Sequence, residues 1–314
     1  MRKLLYREYF RYIPLFVFAV FAVVLGFVVP HFLTVRNLVN ILRQSSALGL
    51  MAIGMTLVLI TGGIDLSIPP VMALSGILGA LYMRATGQAL LGSLLMMLTG
   101  TALGAVNGVA VAYLGMVPFV VTLSMMYVAI GASTWLTREV SVSGLPSHFI
   151  DVVMGRVGFV PAVVVLLVVV TFLAVVMMRY SLYGRWLYAV GSNPQVARLF
   201  GIPTDRVVFG AYTLAGLCAG LAGIVNTARL SSASATMGSE GVVLNVVGAA
   251  VIGGVSIYGA EGSALGAVVG AIFVIMIENI MNMLRVSYYM SLLAKGILIV
   301  SVVAFDTYRR RVRK

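Results

Sequence analysis

Apolar runs about as long as a bilayer-crossing helix, roughly 20 residues, follow one another along nearly all of this 314-residue chain. A hydrocarbon core offers no water to backbone N–H and C=O groups, so only helices or closed barrels can cross it. These runs are long and do not alternate polar with apolar residues, which makes them helices. Charged residues are 10% of the chain, where a soluble protein has about a quarter. The reading is an all-α integral membrane protein, with 1–314 forming a single transmembrane domain.

About ten spans are expected. The first is Ile13–Val29, which ends at Pro30 without an A-x-A-like cleavage site and is therefore retained. A second runs over Leu38–Ile60, and a third begins at Pro70 after a Gly-rich break. The others are Ala89–Leu114, Pro118–Leu136, Phe159–Met178, Val208–Thr227, Val242–Tyr258, Leu265–Leu284 and Tyr289–Phe305.

The formal net charge is +12, but the cations flank apolar runs and build no basic face with interleaved aromatics, so nucleic acid is not the implied partner. Thirteen of the 21 Lys and Arg fall in three places. Arg2, Lys3, Arg7 and Arg11 open the chain; Arg179, Arg185, Arg198 and Arg206 sit in the central loop 179–207; Arg309, Arg310, Arg311, Arg313 and Lys314 close it. The positive-inside rule puts both termini and that loop in the cytoplasm. Thr137–Gly158 and Arg229–Gly241 then become outer loops.

Several chemistries are excluded. Cys218 is the sole cysteine and His31 and His148 the only histidines, so no intramolecular disulfide or four-ligand zinc site is expected. None of Lys3, Lys295 and Lys314 is followed by Ser or Thr, so there is no Walker A loop. If nucleotide powers this protein, a separate subunit hydrolyses it. The spans hold no catalytic constellation, so the chain is not expected to be an enzyme.

The central loop has internal order. Asn193 suits a helix cap and Pro194 the first helical position, with one or two turns following to Phe200, ended by Gly201 and Pro203. A short capped helix between two spans is something a soluble partner could grip; a solvated linker that only fixes topology has the same composition.

The break TGGIDLSIPP carries Gly62, Gly63, Asp65 and Ser67. An Asp at the membrane midplane costs about 2.5–3.5 kcal/mol on the insertion scale, which places Asp65 near water or a polar cavity; as a helix cap at the membrane edge it would serve equally. Gly62-Gly63-Ile64-Asp65 has a faint echo in Gly253-Gly254-Val255-Ser256. Glycines four apart (Gly100, Gly104, Gly108; Gly216, Gly220; Gly262, Gly266, Gly270) form ridges for close helix packing. Glu278 and Lys295 are the deepest charges, on consecutive spans and equally far from the turn at Val286-Ser287. Either they pair inside the membrane or each reaches water separately.

Gly54–Gly76, GMTLVLITGGIDLSIPPVMALSG, strongly resembles the signature of the ribose/galactose/xylose class of ABC-transporter permeases, typically GMT-(apolar)-GGIDLSVG-S. Gly184, Arg185, Ala189, Gly191, Asn193, Ala197, Arg198, Gly201 and Ile202 match that family's central-loop pattern. AVIGGVSIYGAEGSALGAVVGA resembles its late Gly-rich block. Pro69-Pro70 depart from the usual Gly-Ser, Val196 from the first of two alanines, and Ala260-Glu261 from Gly.

The resemblance implies a multi-pass permease of the bacterial inner membrane, importing a monosaccharide or similar small polar solute. A second permease subunit, identical or related, would complete the pathway. A cytoplasmic ABC ATPase would bind ATP and Mg, while an extracytoplasmic solute-binding protein delivers the sugar. The implied coupling helix carries Asn193, Pro194, Ala197, Arg198, Gly201 and Ile202. The alternative is a proton- or sodium-coupled secondary transporter, which needs ionisable groups at mid-membrane. Glu278 is the one acid placed clearly inside a span.

Overall fold

The computed structural model describes residue 29, residues 31–287 and 289–297, and residues 300, 301 and 304. Apart from Val29, the expected first span lies outside them, as do the basic N-terminus and C-terminal tail. The last expected span is described in part, as helix at 289–297. Among the described residues, eight helices are long and apolar enough to cross a membrane.

The long helices are α1 (Val35–Ile60), α2 (Ile68–Thr86), α3 (Ala89–Ala112), α4 (Pro118–Thr137), α6 (Ala162–Tyr180), α9 (Thr204–Leu230) and α11 (Ala264–Met283). A 3-10 turn, Ala235–Gly238, leads into α10 (Glu240–Ile252). Shorter pieces join them: α5 (Ser147–Met154), a hairpin of β1 (Arg156–Val157) and β2 (Val160–Pro161), α7 (Leu182–Ser192) and α8 (Pro194–Leu199).

α1 is the hub. Every residue from Ser45 to Ile60 is buried, as expected of a helix apolar on all sides. α9 and α11 pack along it, α9 also covers α2 and α3, and α10 packs on α11. The outer helices turn Leu90, Leu98, Val168 and Phe172 outward, which suits lipid rather than water.

The glycine ridges explain the closest crossing. A Cβ on Gly100 would lie 2.4 Å from the Gly216 carbonyl, and one on Gly216 2.2 Å from the Gly100 carbonyl. α3 and α9 therefore meet backbone to backbone, where dispersion rather than solvent exclusion holds helices together in lipid. Gly266 and Gly270 bring α11 onto α10 in the same way. Gly262 is not part of that ridge: it precedes the Ser263 cap with φ +149°, outside the helix.

Three more expectations are revised. The third span starts at Ile68, not Pro70. Pro69 and Pro70 fall in the first turn, where a helix has no acceptor for the N–H groups they lack. The span expected over Val242–Tyr258 stops at Ile252, because Gly254 (φ +85°) turns the chain out of the helix. The 179–207 loop is mostly helix: α7 was not expected, and α9 begins at Thr204 rather than Val208.

The two segments expected as outer loops meet. Val142 and Ala233 exchange both backbone hydrogen bonds, at 2.8 and 3.0 Å. Within 137–158, α5 buries Phe149 against neighbouring helices.

Candidate functional site

α1 ends in a left-handed glycine turn. Gly62 has φ +86°, its N–H donates to the Leu59 carbonyl at 2.9 Å, and the Gly63 N–H donates to Val58 at 3.2 Å. Gly254 and Val255 make the same two bonds to Val251 and Ala250 at the end of α10. The echo seen in sequence is thus a repeated backbone turn, but Gly62 corresponds to Gly254, one residue off the sequence match.

Asp65 follows the turn and is 1% exposed. Its Oδ1 accepts the Ser67 N–H at 2.9 Å and the Ser67 hydroxyl at 2.6 Å. Asn107 of α3 donates Nδ2 to Ser67 Oγ at 2.9 Å, and the Thr122 hydroxyl of α4 lies within donating reach of the Ile64 carbonyl at 3.1 Å and of its own helix's Pro118 carbonyl at 3.0 Å. Side chains from two other helices thereby hold the linker between α1 and α2 closed. Burial pushes the Asp65 carboxyl up to about 6, against the opposing pull of the Ser67 and Asn107 hydrogen bonds.

One carbonyl joins the three signature segments. Ile60 O accepts the Ala260 N–H at 3.0 Å. Gly191, near the end of α7, presses on the same oxygen so closely that a Cβ there would fall 1.7 Å from it. A Cβ on Gly259 would lie 2.9 Å from the Gly191 carbonyl. The Tyr188 hydroxyl donates to Gly262 O at 2.8 Å, and the Tyr183 hydroxyl to Val207 O at 2.9 Å. α7 therefore rests at once on the end of α1, on the segment 253–263 and on the start of α9.

α8 extends from this seat. The Asn193 side chain accepts from the Gln195 and Val196 N–H groups, both at 3.0 Å, and Pro194 takes the first helical position. Gly201, at φ +77°, closes the helix: its N–H donates to Arg198 O at 2.9 Å and that of Ile202 to Ala197 O at 3.1 Å. Ala197 is buried inward, while Leu199 and Phe200 are 87% and 82% exposed. Arg198 Nε donates to the Thr204 hydroxyl at 2.6 Å, and Nη2 pairs with Asp205 Oδ1 at 2.5 Å. An exposed ion pair adds under about 1 kcal/mol, but with Thr204 it fixes the angle between α8 and the first turn of α9.

Glu278 and Lys295 lie elsewhere. Glu278 sits fourteen residues past Ala264, about 20 Å along α11. Its Oε1 accepts from Lys295 Nζ and, at 2.8 Å, from Asn245 Nδ2 of α10. Both charged side chains are at most a quarter exposed. The contact ties the helical residues 289–297 to α10 and α11.

Residues 37–303 match the profile of a family described as branched-chain amino acid transport system / permease component. The ribose import permease protein RbsC of Escherichia coli K12 is 36% identical over 285 residues, covering 90% of this chain and 88% of that protein. RbsC of Bacillus subtilis is 35% identical over 297 residues, with 94% and 91% covered. The D-allose transport system permease protein AlsC of Escherichia coli K12 is 33% identical over 298 residues, again with 94% and 91% covered. The chain belongs to this permease family. No solved structure matches it.

The permease is a transport subunit rather than an enzyme, and a multi-pass membrane protein. Its departures from the family pattern have local consequences. Ala260 occupies φ +61°, a left-handed conformation that a Cβ penalises and glycine does not. Val196 lies on the outer side of α8, 44% exposed. Sequence reasoning did not single out Tyr188, Ala260 and Asn107 as parts of the site. Tyr188 and Ala260 act through backbone atoms of segments distant in the chain, and Asn107 was one polar residue within a glycine ridge. Its position on that ridge, one residue before Gly108, was the available signal.

Proposed function

We propose that this permease is the membrane-spanning subunit of an ATP-driven, binding-protein-dependent importer of a monosaccharide, resident in the bacterial inner membrane. Relatives named for ribose, allose and L-arabinose support that solute class. The termini and the α7–α8 unit face the cytoplasm, following the arginine bias of the sequence. α8 docks on a separate ATPase subunit, which binds ATP and Mg. A solute-binding protein delivers sugar at the opposite end, and a second permease subunit completes the pathway.

One observation carries this reading: a rigidly capped helix with the apolar tip Leu199-Phe200 exposed, continuing directly from α7, whose Gly191 is seated on the end of the buried hub helix. A push on that tip moves α7, and α7 cannot move without displacing Ile60 and the segment before α11. A solvated linker would neither expose such a tip nor be wedged against backbone.

The test is uptake of labelled ribose, allose and arabinose into proteoliposomes holding the chain with its ATPase and binding protein. Uptake should require all three proteins and ATP, and Gly201→Pro should abolish it while leaving membrane insertion intact. Uptake driven by a proton or sodium gradient without the ATPase would overturn the proposal. So would labelling of a cysteine placed in α8 from outside intact cells.

A further inference from the structure

At the bundle end opposite α8, a cavity of about 670 Å³ opens between the start of α1, the β1–β2 hairpin and the end of α11. Arg36, Asn40 and Arg43 line it from one face of α1, spaced four and then three residues apart. Arg156 of β1 and His31 add to the same wall, and Met283 contributes apolar surface. Among the described residues that line it there is no Asp or Glu. Neither ion pair found among the described residues involves these arginines. Arg43 Nε is buried and has no hydrogen-bond partner among the described residues.

This arrangement is costly as it stands. A guanidinium carried about two turns into a membrane helix needs either water or an anion, and a buried N–H left unpaired costs about 1–3 kcal/mol. Arginine pairs with phosphate through two parallel charge-assisted bonds, the strongest contact available to it. Arg36 and Arg43 are seven residues apart, about 10 Å along the axis, so guanidinium groups can approach an anion from both sides. The apolar part of the wall suits a glycerol or acyl segment attached to it.

We infer that this cavity is a binding site for a phosphate-bearing anion, the headgroup of an acidic phospholipid, with Arg43 and Arg156 as its principal ligands. A zwitterionic headgroup fits less well, because the described lining residues offer no carboxylate to hold a choline nitrogen. The shared chemistry with a soluble phosphate is the reason the test has two arms.

The full-length chain, purified in neutral detergent and stripped of lipid, is titrated with phosphatidylglycerol, phosphatidylcholine or inorganic phosphate. Bound lipid is counted by native mass spectrometry, and stability is followed by thermal unfolding. Phosphatidylglycerol should bind at least about tenfold tighter than phosphatidylcholine, and Arg43→Gln/Arg156→Gln should lose about a hundredfold or more in affinity for it, each charge-assisted contact being worth about a decade in Kd. Arg84→Gln, an exposed cation off the cavity, should bind as the unaltered chain does. Should the double variant fail to fold, Arg156→Gln alone, on the exposed hairpin, should still weaken binding. Stabilisation by phosphatidylglycerol alone assigns the site to lipid; stabilisation by inorganic phosphate as well keeps the anion site but assigns it to a soluble ligand. Equal binding of the two lipids, or undiminished binding by Arg156→Gln, overturns the inference.

Discussion

Replacing Gly191 with Ala tests the contact on which transmission through α7 depends. The added Cβ would lie 1.7 Å from Ile60 O and 2.8 Å from the Ala260 nitrogen. An ordinary carbon–oxygen contact needs about 3.2 Å or more, so α7 must retreat by about 1.5 Å, and neither neighbour is a side chain that can rotate away. The retreat stretches or breaks the 3.0 Å bond between Ile60 O and the Ala260 N–H. Overpacking of this kind costs about 1–3 kcal/mol, and a buried backbone group left unpaired costs a comparable amount. A total of about 2–6 kcal/mol would be visible as a lower unfolding temperature in detergent. Because Asn193 and α8 follow two residues later, the same shift misplaces the exposed tip. Transport per ATP hydrolysed should then fall several-fold in reconstituted complexes, beyond any loss of membrane protein. Gly131→Ala is the control: nothing lies within 4 Å of a Cβ there, and alanine is the better helix former by up to about 1 kcal/mol. Unchanged stability and coupling in Gly191→Ala would refute the argument.

Other substitutions probe the remaining parts. Ala260→Gly should relieve a left-handed alanine and stabilise the chain by about 1 kcal/mol, seen as a higher unfolding temperature with uptake retained. Asp65→Asn keeps an acceptor for Ser67 and should transport nearly as well as the unaltered chain, whereas Asp65→Ala orphans the Ser67 N–H and should destabilise by about 1–3 kcal/mol. Asp65 is raised from 3.8 to about 6, so between those values the folded chain holds a proton that the unfolded chain has lost. Stability should therefore fall as pH rises through that window, and thermal unfolding of Asp65→Asn should lack this component. In a double-mutant cycle, Glu278→Gln and Lys295→Met should show coupling of about 1 kcal/mol or more; additive effects would mean that the pair does not hold the last helix.

The short helix α8 is legible in the sequence because its signals are local. Asn193, Pro194 and Gly201 each satisfy or release a backbone group within four residues, and such chemistry survives in any surrounding. The Gly100 and Gly216 ridges were equally readable as close-packing surfaces, though not that they would face each other. α7 escaped notice: arginine and tyrosine within a loop read as polar interruption, whereas Ser181 caps a helix whose Gly184, Leu187 and Val190 are buried.

By itself the sequence determined that the chain is a bundle of membrane helices with cations gathered at particular loops, and where the caps of the short helix α8 fall. These follow from the solvent imposed on every residue and from hydrogen bonds closed within a few positions. Tertiary structure decided that the end of α1, the end of α7 and the segment before α11 share one carbonyl, that Asp65 is sealed in a turn, and that Glu278 faces Lys295. Each joins residues far apart in the chain, and apolar helices of similar pattern can pack in many pairings until backbone shape selects among them.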